Sequence, residues 1–494
     1  MAHSVGKNLI YYLLYEIPVL LIPFLVSPYV TRVVGSEGIG LYSYSHTIAG
    51  YFMIAAMLGL GNHGNRSIAA VRRSQARLNE TFSSLLVLHL LVSVPALMGY
   101  MAYVSVWSEH QEYGVIQILS VLSALFDISW FYFGIEQFKL IAWVNTIIKV
   151  LSMACVFTLV RVSDDLWKYC LIMAGGTLAG QLILWIPLGR YVRFVRPNWK
   201  MLRGHIKPLV ILFLPVIAVS LYKQMDKIML GAISGMAELG FYENGEKVSS
   251  MPIVLIGAVG TVMLPRMSFL AGSAHNEAQA LRYITVSMKG IMWLIFALAF
   301  GLAGIADSFS VLYWGEGFQR SGAVILGLSI TLPFLAFANV IRTQYLIPNQ
   351  RDRVYVHSVF WGAVTNFIIN CLVIPRLGAV GATIGTIAAE VAVCLVVAFS
   401  VRKELPVSAC LRECMIFLLI GIAMFLPVRW IGRAFEKSIV TLLLQILCGV
   451  CVYCGLSVIS FLLTKDRIFL QIVKSVALGK KVKTEGSVLT VEDV

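Results

Sequence analysis

Residues 209–250 decide how the chain is interpreted, and they read LVILFLPVIAVSLYKQMDKIMLGAISGMAELGFYENGEKVSS. An apolar run is followed, inside one predicted membrane-spanning helix, by Lys223, Gln224, Asp226 and Lys227. Charged side chains at bilayer depth are costly, and they usually face a protein interior or a water-filled cavity. Lys223, Asp226 and Lys227 occupy positions i, i+3 and i+4, so they share one helix face. The stretch therefore predicts that this face lines a water-filled, cationic passage.

The whole chain has the composition of a polytopic membrane protein. It is 59% hydrophobic and 13% charged, which is about half of the roughly 25% charge of soluble domains. The first apolar segment begins soon after Lys7 and has no small-residue cleavage site, so it predicts a membrane span rather than a signal peptide. About fourteen apolar segments approach the ~20 residues that a bilayer requires. The predicted fold class is all-α.

The net charge of +14 is explained by orientation in a membrane. If the N-terminus lies inside, most Lys and Arg fall on cytoplasmic segments such as 66–77 and 190–207, while the outside segments are acidic. This positive-inside pattern predicts a multi-pass protein of the bacterial cytoplasmic (inner) membrane with both termini cytoplasmic. Anionic lipid accounts for the remaining basic excess, so no nucleic-acid partner is expected. The nine cysteines form no framework, so no metal is expected either.

Two stretches of the chain repeat one another. RVVGSEGIGLY (32–42) precedes the second span, and IMLGAISGMAELGFY (228–242) precedes the eighth. With a four-residue insertion, the alignment pairs Gly35 with Gly231 and then Gly40 with Gly240. Six spans per half is an even number, so the halves insert in the same orientation, and the substrate site is expected between them.

The repeat predicts how the chain is organised. The expected parts are an N-terminal six-helix bundle in 1–206, a pseudo-symmetric C-terminal six-helix bundle in 207–408, two additional helices in 409–464 and a cytoplasmic tail in 465–494.

Other ionisable residues within apolar segments are candidates for a polar interior. Glu16 lies in the first span among three prolines, which bend membrane helices where cavity water satisfies the freed carbonyls. Asp127 lies among aromatic residues and is a candidate proton or cation site, with Lys149 as a partner for it or for substrate. The alternatives are a headgroup-level position for Glu16 and a structural hydrogen bond for Asp127. Arg342 and Glu390 lie in the tenth and twelfth spans.

Five stretches, taken in order, resemble the polysaccharide repeat-unit flippases of bacterial O-antigen and capsule clusters. They are PYVTRVVGSEGIGLYSYSHTIAGYF (28–52), DISWFYFGIEQFK (127–139), MDKIMLG with FYENGEKV (225–231 and 241–248), TQYLIPNQ (343–350) and PRLGAVGATIGTIAAE (375–390). This family belongs to a superfamily that also contains multidrug extruders and lipid II flippases. The resemblance covers the first twelve predicted spans.

The resemblance implies a transporter rather than an enzyme, with no catalytic residue. It implies that an undecaprenyl-pyrophosphate-linked oligosaccharide moves from the inner to the outer leaflet by alternating access through a cationic central cavity. No cofactor is expected beyond an H⁺ or Na⁺ coupling ion. The expected partners are this substrate, membrane lipids, a polysaccharide polymerase and glycosyltransferases.

The resemblance and the in-span charges together give the predicted site residues. Those expected to bind substrate are Arg32, Lys149, Lys223, Gln224, Lys227 and Arg342, and those expected to couple an ion or balance charge are Glu16, Asp127, Asp226 and Glu390. The resemblance points to Arg32 and to Lys223, Asp226 and Lys227 around the DKIML motif, whereas Glu16, Asp127, Lys149, Arg342 and Glu390 are proposed from the in-span charges.

Three other functions remain open at this stage. A lipid II flippase shares the expected architecture. A cation-coupled multidrug extruder would favour carboxylates over a lysine pair in its cavity. A membrane enzyme such as a polymerase or ligase would carry a long outside loop with catalytic residues, whereas every predicted outside loop is short.

Overall fold

The computed structural model describes the backbone of residues 2–197, 199–271, 277–464, 482–485 and 488–491. It describes the side chains of these residues except 2–20, 214, 215, 218 and the two strands. Helices make up nearly all of the described chain, which confirms the predicted all-α class. The chain forms two compact units, one of Met1–Asn244 with Asn366–Ala382 and one of Gly245–Thr365 with Thr383–Val494. The predicted boundary at 206/207 separates two stretches of similar sequence, whereas these two units are defined by their internal contacts. The boundary therefore stays a prediction.

The helices of the first unit follow the predicted apolar segments. In chain order they are α1 Ala2–Met57, α2 Leu60–Val71, α3 Gln75–Val106, α4 Gln111–Leu125, α5 Ser129–Gly134, α6 Phe138–Leu159, α7 Leu166–Trp185 and α8 Trp199–Ser234. Short 3-10 turns lie at Ser163–Asp165 and Leu188–Arg190. Helix α1 is interrupted at Gly35, whose φ of 71° breaks the helical backbone into two arms.

The remaining helices continue from α9, Met236–Ser249. They are α10 Met251–Ala271, α11 Glu277–Trp314, α12 Gln319–Ser329, α13 Thr331–Ile341, α14 Asp352–Leu377, α15 Ala379–Val401, α16 Val407–Ala434 and α17 Ile439–Leu463, with a π-helical turn at Arg342–Leu346. Strands β1 Val482–Glu485 and β2 Val488–Val491 pair antiparallel in the tail.

Eleven helices or runs of helices in the described residues are long and apolar enough to cross a membrane. The protein is therefore a multi-pass membrane protein. Three of the predicted spans lie in α1 and α8, which are not among these eleven. The predicted count of fourteen remains a prediction.

An aromatic cluster forms the core of the first unit and fixes the break between α4 and α5. Trp130, Phe131 and Tyr132 are fully buried. The Tyr132 hydroxyl donates to the Leu184 carbonyl at 2.6 Å, and the Trp130 indole donates to the Asp127 carbonyl at 3.1 Å. These bonds satisfy polar atoms that would otherwise be unpaired inside an apolar core. The cluster therefore holds Asp127 at an interrupted helix, where its backbone is anchored.

In the second unit, α16 and α17 contribute to the main core. Phe417 of α16 is fully buried in the same cluster as Ile295 of α11. Tyr453 of α17 donates its hydroxyl to the Trp293 carbonyl at 2.6 Å, and the Trp293 indole donates to Ser457 at 3.0 Å. The two helices that follow the internal repeat are thus an integral part of this unit.

Candidate functional site

The site is organised by a close crossing between α9 and the arm of α1 that follows Gly35. A Cβ atom added to Gly40 would overlap the carbonyl oxygen of Met236. Reciprocally, a Cβ atom added to Gly240 would overlap the carbonyl oxygen of Ser36. Only glycine lets two helix backbones approach this closely. The crossing therefore brings the polar residues one turn further along both helices into contact.

This crossing corrects the alignment of the internal repeat. Gly35 and Gly235 have φ values of 71° and 91°, a left-handed conformation that glycine adopts most readily. Gly231 instead lies within α8, beside the ring of Tyr44. The two turn glycines are therefore equivalent, and the predicted pairing of Gly35 with Gly231 after an insertion is wrong. The repeat runs at a constant offset of 200 residues (235 − 35 = 200).

Ser43 and Glu243, which differ by the same 200 residues, contact each other across the crossing. The Ser43 hydroxyl donates to Oε2 of Glu243 at 2.7 Å, and both side chains are buried. The Lys227 ammonium of α8 lies 2.8 Å from the same Oε2. Residues that meet their own equivalents lie close to a local two-fold axis, as at an isologous interface. One carboxylate oxygen thus contacts both Ser43 of the first repeat and the Lys227 ammonium within a predicted span.

Asp226 forms a second buried polar cluster beside the first. Its side chain is 3% exposed. Oδ2 accepts a hydrogen bond from the Tyr242 hydroxyl at 2.9 Å, and Oδ1 accepts one from the Asn370 amide at 2.5 Å. Asn370 also donates to Oδ1 of Asn366 at 3.0 Å. The Nδ2 of Asn366 and the Oδ1 of Asn370 have no partner among the described residues, so this cluster retains unused hydrogen-bonding capacity.

Three other predicted binding residues lie in the same unit. Arg32 and Lys223 have exposed side chains, and Gln224 is half-buried beside Gly50 of α1. Lys223, Asp226 and Lys227 do come from one helix face as predicted, but their exposure differs: the first is exposed, the second buried and the third half-buried.

Asp127 lies in a separate cavity of the first unit. Its Oδ1 accepts the Ser129 backbone N–H at 2.8 Å, which is the structural hydrogen bond expected as its alternative role. The cavity measures ≈ 380 Å³, and it is also lined by Thr177 and Gln181. No ion pair joins Asp127 to Lys149 in the part of the chain that the structure describes. Lys149 is half-buried on α6.

The last three predicted residues do not join these clusters. The Arg342 guanidinium lies over the Tyr355 ring, 4.0 Å from its centroid, within the second unit. Glu390 is buried at 7% exposure in α15 of the same unit. The side chain of Glu16 lies outside the described residues. These assignments stay predictions.

Several residues of the two clusters were not singled out from the sequence. They are Ser43, Tyr242, Glu243, Asn366 and Asn370. Two signals pointed to them: positions 43 and 243 directly follow the two repeated stretches, and Asn366 and Asn370 stand four residues apart in an otherwise apolar segment. Polar residues at that spacing share one helix face, which indicates a polar contact inside the bundle.

The fold is similar to those of two classes of solved transporter. An inward closed conformation of the lipid II flippase MurJ matches 93% of this chain and 100% of its own with a TM-score of 0.75 and 13% identity. An inward-facing multidrug transporter of the MATE family matches 81% of this chain and 99% of its own with a TM-score of 0.58 and 15% identity. At these identities the likeness shows the fold.

Sequence comparison finds relatives in polysaccharide biosynthesis. The chain is 22% identical over 381 residues to a candidate O-antigen transporter of Shigella dysenteriae, covering 76% of this chain and 94% of that protein. It is 20% identical over 407 residues to another in Escherichia coli K12, covering 81% and 97%. Residues 5–271, more than half of the chain, match the family described as polysaccharide biosynthesis protein. The protein therefore belongs to the polysaccharide biosynthesis protein family.

Proposed function

We propose that the protein is a flippase for lipid-linked oligosaccharides, which it moves from the inner to the outer leaflet of the bacterial cytoplasmic membrane. The substrate is an oligosaccharide carried on undecaprenyl pyrophosphate. Membership of the polysaccharide biosynthesis protein family supports the class of substrate, and the transporter names of two relatives support the activity. Both termini are expected in the cytoplasm on the charge pattern.

The observation that carries this proposal is Lys227, a lysine within a predicted span that is paired with Glu243, in the same unit as the exposed cations Arg32 and Lys223. A diphosphate headgroup must exchange its hydration shell for cations while it crosses ~30 Å of hydrocarbon. Lysine offers a compact charge and arginine a bidentate fork for phosphate. The lipid tail stays in the bilayer throughout, so only the headgroup needs this polar environment.

The Lys227–Glu243 contact suggests how substrate triggers movement. A diphosphate oxygen competes with Oε2 of Glu243 for the Lys227 ammonium. Once displaced, Glu243 has lost the Lys227 ammonium that lay 2.8 Å from its Oε2, and its buried position beside Ser43 at the α1–α9 crossing becomes less favourable. A ligand shifts a conformational equilibrium when it favours one state over another. Substrate binding thereby weakens the crossing and favours the alternate state of an alternating-access cycle.

Ion coupling is assigned to Asp226. Its cluster combines one carboxylate with the amide oxygens of Asn366 and Asn370, and oxygen ligands of this kind suit a hard cation. The carboxylate can equally take up a proton. Either ion would neutralise a charge that is otherwise held at membrane depth.

Changing Lys227 to Ala tests the proposed function. In cells where this protein is the sole flippase of its pathway, we expect surface polysaccharide to fall at least about tenfold, the equivalent of one lost charge-assisted contact. The lipid-linked precursor should accumulate in the inner leaflet. Lys168→Ala is the matched control, because Lys168 is also an ion-paired lysine of the first unit, bonded to Asp165 at the end of a predicted span. Normal display by Lys227→Ala at normal protein level would reject the assignment.

A further inference from the structure

A second pocket lies within the second unit. It is formed by the end of α10, the start of α11, the π-helical turn and the segment that follows α15. Its volume is ≈ 500 Å³, within the roughly 300–1,000 Å³ of small-molecule sites. Met267, Leu281 and Ile284 form an apolar wall, while Asn349 and Glu404 lie on a polar rim. The pocket is thus amphipathic and large enough for a ring-sized ligand.

Gln344 lines this pocket and has an incomplete set of hydrogen bonds. Its side chain is 1% exposed, and neither its Nε2 nor its Oε1 has a partner among the described residues. It lies in the π-helical turn Arg342–Leu346, a distortion often found at functional sites. A buried amide with an unused donor and an unused acceptor costs stability unless a ligand supplies both partners. The pocket therefore offers an unpaired hydrogen-bond donor and an unpaired acceptor next to an apolar wall.

The charges at the rim limit which ligand can supply these partners. Glu277 and Glu404 both line the pocket, and no lysine or arginine is among its described lining residues. Tyr345 donates to Glu404 at 2.7 Å, and Arg351 forms an ion pair with it. The hydrogen bond from Tyr345 and the pairing with Arg351 lower the pKa of Glu404 below its ordinary value of 4.5, which keeps it ionised near neutral pH. Two carboxylates disfavour a phosphate or any other anion.

We propose that this pocket binds an uncharged sugar ring, whose hydroxyl groups pair with Gln344, Asn349 and Glu404 and whose apolar face lies on Leu281 and Ile284. A hydroxyl group is both donor and acceptor, so adjacent hydroxyls complete both halves of a buried amide. The inference rests on the proposed function for its biological sense, because the oligosaccharide is the part of the substrate that carries such groups. It assigns a sugar subsite that is distinct from the residues proposed to bind the diphosphate.

The test measures binding of a panel of uncharged hexoses, deoxyhexoses and N-acetylhexosamines to the purified full-length protein by saturation-transfer NMR. We expect saturable binding of at least one sugar, and a loss of affinity of about tenfold or more in Gln344→Leu, which removes both polar atoms. Gln344→Leu should be at least as thermally stable as the wild type, since it removes a buried unpaired amide. Gln344→Met is the second variant, because methionine is unbranched like glutamine and avoids any packing disturbance that the branched leucine side chain causes.

Gln445→Leu is the matched control. Gln445 is equally buried in the same unit, but its amide donates to the Val428 carbonyl at 2.9 Å. This variant should lose thermal stability and keep sugar binding. Three results would each overturn the proposal. Either no sugar binds saturably, or sugar binding is unchanged in both Gln344 variants, or the protein binds ethanolamine, a small cation, in preference to the sugars. These results are independent of the Lys227→Ala display assay, so the two proposals can fail separately.

Discussion

At the scale of single residues, the central feature is a lysine whose carboxylate partner, Glu243, also accepts a hydrogen bond from Ser43 of the other repeat. The Lys227 and Glu243 side chains are 17% and 12% exposed, so water screens their attraction weakly. Buried ion pairs gain little net stability because both ions lose hydration, yet removing one partner alone is strongly destabilising. Such a pair is better suited to exchanging partners than to holding the fold together.

We predict that Lys227→Met lowers the free energy of unfolding by about 3–5 kcal/mol, because it removes one partner of the partly buried Lys227–Glu243 ion pair. Adding Glu243→Gln should recover most of this loss, since the amide oxygen still accepts from Ser43 and carries no charge. Transport should remain defective in the double variant. Denaturant unfolding in detergent measures the stabilities, and a double variant no more stable than Lys227→Met would contradict the pairing argument.

The sequence predicted which positions carry charge, but it could not predict which residues pair. The spacing of three and four residues between Lys223, Asp226 and Lys227 is a local property of one helix, so the sequence alone predicts that they share a helix face. The partners Glu243 and Asn370 depend on helix packing across 16 and 144 residues, which no local pattern specifies. The sequence alignment also paired Gly35 with Gly231 instead of Gly235, because a sequence does not distinguish a glycine within a helix from a glycine in a turn.

At the scale of secondary-structure elements, the glycine crossing between α1 and α9 determines how closely the repeats approach. Gly40→Ala should lower thermal stability and transport, since its Cβ would overlap backbone atoms that cannot rotate away. Gly175→Ala is the matched control, because this helical glycine of α7 has open space beside it. Alanine there should be neutral or stabilising by about 0.5–1 kcal/mol. Equal melting temperatures for the two variants would show that the helix crossing can accommodate a Cβ atom at position 40.

The contact between α2 and the start of α8 should weaken on acidification. Nε2 of His63 and Nδ1 of His205 lie 2.9 Å apart, outside the predicted spans. Burial, then His205 and Arg66, lower the pKa of His63 from 6.5 to about 4, and burial lowers the pKa of His205. The unfolded state therefore binds more protons between pH 6.5 and about 4, so stability falls as the pH drops through this range.

Hydrogen exchange of the α2 amides at pH 7 and pH 5, corrected for intrinsic rates, measures this effect. We expect lower protection at pH 5 in the wild-type protein and a smaller pH difference in His63→Gln, which keeps a polar side chain but does not titrate. Wild-type protection that is the same at both values would contradict the assignment of the histidine pair.

At the scale of the whole molecule, the residues proposed to bind substrate and to couple an ion, Lys227 and Asp226, are neighbours on one helix. Lys227 lies in the cluster that joins the repeats through Ser43, whereas Asp226 accepts a hydrogen bond from Asn370, 144 residues further along the chain. A change at either residue therefore acts on the packing of α8 against distant segments. Coupling of this kind needs two states that both ligands bias, and substrate and ion would each bias α8.

The last prediction follows from this arrangement. In proteoliposomes, an imposed Na⁺ or H⁺ gradient should change the rate at which wild-type protein moves a lipid-linked oligosaccharide across the membrane. Asp226→Asn should abolish that gradient dependence, because an amide can neither take up a proton nor attract a cation as a carboxylate does. Asp307→Asn is the control, since Asp307 is half-exposed and paired with Arg429 at 2.7 Å in the second unit. Wild-type transport that is indifferent to both gradients would leave Asp226 with a structural role, and the cycle would then be driven by substrate supply alone.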